Sequence, residues 1–347
     1  MSAKSSYRNN YLTILNVISC IAVVYLHANG CFWHYSTARY WATANIIENV
    51  CYFAVPVFFM CSGVTLIDYR KKYSTRIYFQ KRIRKTVVPF AFWTLVGIVF
   101  SALTHGINLF HSPFTEWLDA IINSSLVRPY WFFIPLFAIY LMIPVISGIE
   151  EKSRLKIYTY WLQVSFIVQG ILPFLCSVLN ISYNYDLSSI AGGGYLFYPV
   201  LGYVLSKRSF TSRQSKLIYS LAFIGFVAQL TGTYVLSNQA GEIVSLFKGY
   251  LNFPCVLYSA GIFEFIKNVN WNSSKLKGIT RAAVQISKYT FAIYLMHYFV
   301  LEVLYRLFSL NEYSIFYRLL IPAPVILICI LLTVIIRKIP VLKKIVP

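Results

Sequence analysis

Two histidines and one short basic stretch are the side chains of this sequence best suited to chemistry. His27 follows Val23-Val24-Tyr25-Leu26, and His297 closes Tyr294-Leu295-Met296-His297; both fall inside apolar runs. An ionisable group in such a run is expensive in hydrocarbon and is a functional candidate by default. Imidazole titrates near neutral pH, which suits it to proton transfer in a polar cavity. The competing reading of His27 is an interfacial histidine near a helix end. Lys81-Arg82-Ile83-Arg84-Lys85 runs up to Pro89. At a spacing of i, i+3, Arg82 and Lys85 would share one helical face. Together they could hold phosphate, arginine as a fork and lysine as a point charge. A membrane anchor at the cytoplasmic surface would carry the same charges. Glu48, near the end of another apolar run, is an acid able to orient a histidine. Glu302 and Arg306 lie i, i+4 and should neutralise each other. Trp131, in Pro129-Tyr130-Trp131-Phe132, reads first as an interfacial belt aromatic.

The elements that must position these residues are membrane helices. Of 347 residues, 58% are hydrophobic and 12% charged, and the mean hydropathy is +0.62. Soluble domains carry about a quarter charged residues. Runs near the roughly 20 residues needed to cross a bilayer core fall at about 11–30, 46–67, 87–106, 130–149, 157–179, 193–206, 217–236, 249–266, 289–308 and 316–336. The sixth is short and opens on Gly192-Gly193-Gly194. The reading is an all-α polytopic membrane protein of about ten transmembrane helices, forming a single membrane-embedded domain over 1–347. With the amino terminus in the cytoplasm, all but five of the 31 Lys and Arg residues, Lys4 and Arg8 among them, fall on cytoplasmic segments. The exceptions are Arg39, Arg128, Lys248, Arg306 and Arg318. That asymmetry places both termini in the cytoplasm.

The same asymmetry accounts for the net charge of +20 and the pI near 9.6. The partners expected are membrane lipids, including anionic headgroups, and not nucleic acid, for which no motif is visible. The seven cysteines show no CxxC spacing and mostly sit in apolar runs, where cysteine acts as a small hydrophobe. No metal is expected. Cys31 and Cys51 flank the first external loop, where a disulfide between them is the alternative to two free thiols. The first apolar run is too long for a signal-peptide core and lacks a small-residue cleavage site, so it stays as a helix.

In chain order, six fragments resemble the bacterial acyltransferase-3 family of membrane proteins that O-acylate surface and extracellular carbohydrates. Leu15-Asn16 through Leu26-His27 is similar to the family's opening helix, where a basic residue lies eleven positions before a histidine. Pro56-Val57-Phe58-Phe59-Met60-Cys61-Ser62-Gly63 resembles its Phe-Phe-x-x-Ser-Gly stretch. Arg82-Ile83-Arg84-Lys85 before Pro89 resembles its Arg-x-x-Arg loop, and Trp131-Phe132 with Tyr140-Leu141 and Pro144 its fourth helix. Gly193-Gly194-Tyr195 with Leu201-Gly202-Tyr203 resembles a mid-chain element of shorter members, and Ile293-Tyr294-Leu295-Met296-His297 a late Tyr-Leu-x-His. Two positions depart: Asn16 replaces the basic residue, and Lys85 the second arginine.

The resemblance is to the short form, without an extracellular hydrolase-like domain. It implies a membrane O-acyltransferase, first of all an O-acetyltransferase, in the bacterial plasma membrane. No cofactor would be bound permanently; acetyl-CoA or another acyl-CoA would be the donor. The acceptor would be a hydroxyl of a cell-surface polysaccharide or lipid-linked glycan, and a homo-oligomer is compatible with such a bundle. His27 would be catalytic, as base or transient acyl carrier. Arg82, Lys85 and Asn16 would bind the donor, while Ser62, Trp131, Tyr294, His297 and Glu48 would line the site. A glycan exporter or flippase, or a sensing or uptake module, is the alternative; the inverted repeats and broken helices common in transporters are not evident in the sequence.

Overall fold

The computed structural model describes the backbone of residues 3–105, 113–124 and 126–347, and side chains from residue 10 onward apart from those of 105 and 114. The Lys4 and Arg8 side chains, the last residue of the expected third run and residues 107–112 of the second external segment lie outside the described residues.

Helix α1 (Ala3–Ala28) is followed by α2 (Arg39–Cys51) and α3 (Ala54–Leu66), which run on almost continuously. Next, α4 (Thr75–Arg82) passes through a π-turn at Ile83–Val87 into α5 (Val88–His105). A short α6 (Phe114–Ile122) precedes a 3₁₀ turn at Arg128–Phe132, which opens α7 (Phe133–Ile146). A second π-turn joins α8 (Glu151–Ser165) to α9 (Leu172–Val178), and α10 (Asp186–Ala191) leads to α11 (Phe197–Lys207). The last third holds α12 (Ser212–Ala240), α13 (Phe253–Asn268), α14 (Lys277–Ser287), α15 (Thr290–Leu307), α16 (Ile315–Leu320) and α17 (Pro322–Arg337). Among the described residues there is no strand.

Eight stretches among the described residues are long and apolar enough to cross a membrane: 10–28, 39–71, 75–104, 128–146, 151–178, 212–240, 290–307 and 315–337. The protein is an all-α, multi-pass membrane protein. The sixth and eighth expected runs are helices too, but shorter. Helix α11 has 11 residues, about 16 Å at 1.5 Å per residue. Its start is displaced because Gly193 and Gly194 take φ values of 70° and 53°, left-handed backbone that suits glycine. Helix α13 has 16 residues.

Helix α1 is the hub, packing against α2, α3, α13, α14, α15 and α17. The crossing of α3 on α11 is built by two glycines. A Cβ at Gly63 would overlap the Pro199 backbone, and one at Gly202 the Met60 backbone. Membrane helices approach this closely through small residues, since lipid tails supply no hydrophobic drive between helices. The Ser62-Gly63 pair therefore divides its labour: the glycine seats α3 on α11, and the serine faces a cavity.

Inter-helix segments gather at two ends, as alternating crossings require. At one end Asp68 joins Arg154 at 2.9 Å and Lys207 at 2.7 Å, and accepts from the Tyr203 hydroxyl at 3.1 Å. Lys267 reaches the Leu205 and Arg208 carbonyls at the same end. At the other, buried Arg318 donates to the Tyr40 carbonyl and the Thr43 hydroxyl, and Tyr35 to Asn238. Every cysteine is a free thiol, Cys31 and Cys51 included.

Candidate active site

Three cavities lie along α1. The inner one, about 250 Å³, is lined by Asn16, Ser62, Arg82, Thr86, Tyr140 and Tyr294 with apolar neighbours. The middle one, about 220 Å³, is lined by His27, Glu48, Trp33, Tyr52, Trp131, Tyr250 and Tyr294 among others. The outer one, about 460 Å³, takes in His27, Trp33, Trp131, Arg128, Tyr298, Glu302 and Glu312. Tyr294 belongs to the walls of the inner and middle cavities; His27, Trp33 and Trp131 belong to the walls of the middle and outer ones. Asn16 and His27, eleven positions apart on one helix, are separated by roughly 16 Å of rise at about 1.5 Å per residue.

Arg82 ends α4 with its guanidinium over the rings of Tyr78 and Tyr140, 5.9 and 5.6 Å from their centroids. Its Nε is buried with no hydrogen-bond partner, leaving a cationic donor free for an anion. Asn16 ties its Nδ2 to the Leu12 carbonyl at 2.9 Å, and Ser62 donates to the Phe58 carbonyl at 3.0 Å.

Lys85 is the exception among the expected donor residues. It is exposed, and it is not among the residues lining the inner cavity. The shared face expected of Arg82 and Lys85 assumes ordinary α-helical winding. Residues 83–87 wind as a π-turn instead, whose i→i+5 bonding widens the turn. Buried Thr86, not Lys85, accompanies Arg82 into the cavity.

Tyr294 is clamped. Its hydroxyl donates to the Pro129 carbonyl, and Tyr130 donates back to the Leu295 carbonyl at 2.8 Å. Its ring lies against Phe132 at 5.4 Å and His297 at 5.7 Å. These reciprocal bonds tie the Arg128–Phe132 turn to α15 and place Trp131 where it stacks on Tyr250 at 5.4 Å. Trp131 is thus a cavity wall shared by two chambers and not a lipid-facing belt residue.

The two histidines meet. Their ring centroids are 5.1 Å apart, although 270 positions separate them in the chain. His297 is 0% exposed and its Nδ1 lies 3.1 and 2.8 Å from the carbonyls of Ile293 and Tyr294. Carbonyls only accept, so Nδ1 carries the proton and Nε2 the lone pair. That Nε2 is buried with no hydrogen-bond partner. It is an acceptor waiting beside His27. His297 is absent from the residues lining the inner cavity, where the donor was expected.

The expected Glu302–Arg306 pair forms at 2.6 Å. Glu48 pairs with Lys248, a residue sequence reasoning passed over as one of five external basics; its Nζ lies 3.0 Å from Glu48 Oε1. Burial pushes the Lys248 ammonium below the usual lysine range, and the Glu48 carboxylate counters part of that. The available signal was that Lys248 is one of only five cations on the segments expected to be external. Among the described residues no group of three or more His, Cys, Asp or Glu could hold a metal ion.

A family model described as an acyltransferase domain, that of the acyltransferase-3 family, matches residues 9–337. The chain belongs to the acyltransferase-3 family. The match reaches from within α1 to the end of α17 and so includes all three cavities. No curated protein and no solved structure gives a match. As a membrane acyltransferase of this family, the protein has to bring a donor and an acceptor to one point.

Proposed function

We propose that the protein is an O-acyltransferase, in the first instance an O-acetyltransferase, that moves an acyl group from cytoplasmic acyl-CoA to a hydroxyl of a cell-surface polysaccharide or lipid-linked glycan. The observation that carries this reading is the serial arrangement of cavities, with Tyr294 shared by the inner pair and His27 by the outer pair. The donor's phosphates meet Arg82, its pantetheine arm passes Ser62 and Tyr294, and its thioester reaches His27. The acceptor comes through the outer cavity past Trp33 and Trp131.

His27 takes the proton of the acceptor hydroxyl as its oxygen attacks the thioester carbonyl. The tetrahedral intermediate collapses with cleavage of the carbon–sulfur bond, and the imidazolium returns the proton to the leaving thiolate. His297 Nε2, an unpartnered acceptor on a ring 5.1 Å from that of His27, would favour this by taking up the other ring proton of His27 as the rings close, so that the free nitrogen faces the acceptor. The asymmetry of basic residues supports ten crossings with both termini in the cytoplasm, and the family match over residues 9–337 supports one functional unit in a bacterial plasma membrane.

The test is direct. Purified protein in lipid nanodiscs, given radiolabelled acetyl-CoA and a membrane glycan fraction, should place label on glycan hydroxyls as base-labile ester. Labelled glycan should not form with the His27→Ala protein. Net movement of unmodified glycan across a vesicle membrane, without ester formation, would instead mark a flippase.

A further inference from the structure

The middle cavity holds a buried ion pair for which the transfer step has no use. Glu48 comes from α2 and Lys248 from the loop between α12 and α13, and their side chains are 4% and 1% exposed. Lys248 Nζ also lies 3.9 Å from the ring centroid of Tyr52, 4.3 Å from that of Trp33 and 4.9 Å from that of Phe32. Three aromatic faces and one carboxylate oxygen fix the ammonium. The ammonium in turn fixes the aim of Glu48. Stability does not explain such a pair, because apolar residues of similar volume generally serve as well or better.

The second carboxylate oxygen is the informative atom. Glu48 Oε2 is buried and has no hydrogen-bond partner. An unsatisfied buried acceptor is costly, and Glu48 lines the same cavity as His27. A donor supplied by a ligand would complete it. At about 220 Å³ the cavity is below the roughly 300–1,000 Å³ of pockets for drug-sized ligands, so it suits one ring and not a chain. Its lining combines the aromatic side chains of Trp33, Tyr52, Trp131 and Tyr250 with the aliphatic ones of Val23, Leu26 and Val55. Apolar side chains for C–H surfaces, and a carboxylate for hydroxyls, describe a site for a neutral polyol ring.

We infer that Glu48 is a positioning residue for the acceptor: Oε2 accepts a hydrogen bond from a second hydroxyl of the sugar ring, beside the hydroxyl that His27 deprotonates. Lys248, paired with Oε1, holds the carboxylate in place. This rests on the acyl-transfer reading and narrows it. The acceptor ring carries neighbouring hydroxyls, and a ring bearing a carboxylate or phosphate at that position is repelled.

The experiment uses the full chain in nanodiscs with acetyl-CoA and methyl glycosides of the common hexoses. The glycoside acylated fastest is then compared with its monodeoxy analogues. The wild type should disfavour one analogue by about tenfold or more in kcat/KM, mainly through KM, as expected for a hydrogen bond to a charged group. In the Glu48→Leu/Lys248→Met protein, which removes both charges together and leaves neither buried alone, that preference should fall to about twofold or less. Glu48→Gln, close to isosteric, provides a second arm and should weaken the preference at least about threefold. A folded variant that keeps the wild-type preference would overturn the inference and leave the acyl-transfer reading standing. A wild type that acylates no sugar would overturn both.

Discussion

Two imidazoles 5.1 Å apart inside a helical bundle can do what either does poorly alone. One fixes the tautomer and orientation of the other, and only the second needs to meet substrate. Here the Ile293 and Tyr294 carbonyls fix His297, and the lone pair of His297 is left for His27. His27→Ala should therefore lower kcat by about 10²–10⁴, the usual contribution of a general base, with donor affinity unchanged. His297→Ala should cost less and leave measurable turnover; steady-state kinetics on purified proteins separate the two. Arg82→Gln should weaken acyl-CoA binding by about 1.5–3 kcal/mol, the range for a hydrogen bond to a charged group. Lys85→Gln, at an exposed position off the inner cavity, should change it little; equal losses in a binding isotherm would return the stretch to a general electrostatic role. The sequence displayed His27, Arg82 and Glu48, because charges inside or beside apolar runs stand out. It hid Lys248 and the contact between the histidines, because both depend on residues remote in the chain.

Helices bring those remote residues together. The α3–α11 crossing closes only because Gly63 and Gly202 let backbone meet backbone. Gly63→Ala should cost about 1–3 kcal/mol through overpacking and lower the thermal midpoint of the detergent-solubilised protein. A null effect would mean that α11 shifts freely, and the placement of Ser62 would then lose its rationale. The π-turn at Ile83–Val87 has a matching consequence, since it substitutes Thr86 for Lys85 at the cavity. Hydropathy shows runs and not their winding, so the number of long apolar helices was legible to within two while that exchange was not. The short α11 had one visible cue, Gly192-Gly193-Gly194, whose backbone takes positive φ at Gly193 and Gly194.

Across the whole molecule, loops rich in Lys and Arg gather at one end around Asp68, and the opposite end carries the Arg318 and Lys248 sites. Reporter fusions after Lys85, Arg154, Arg213 and Lys277 should report cytoplasm, and those near Ala38, Asp186 and Gln239 the outside. A reversal among the first of these would exchange the donor and acceptor sides. The family assignment and the helical architecture hold for either acceptor class, so the central claim is the role of His27 at the joint between cavities. The most direct measurement is acetyl transfer from acetyl-CoA to glycan by purified His27→Gln protein. Glutamine keeps hydrogen bonding and bulk but cannot take a proton, so the account predicts loss of ester formation with acetyl-CoA binding retained. Transfer at the wild-type rate would contradict it.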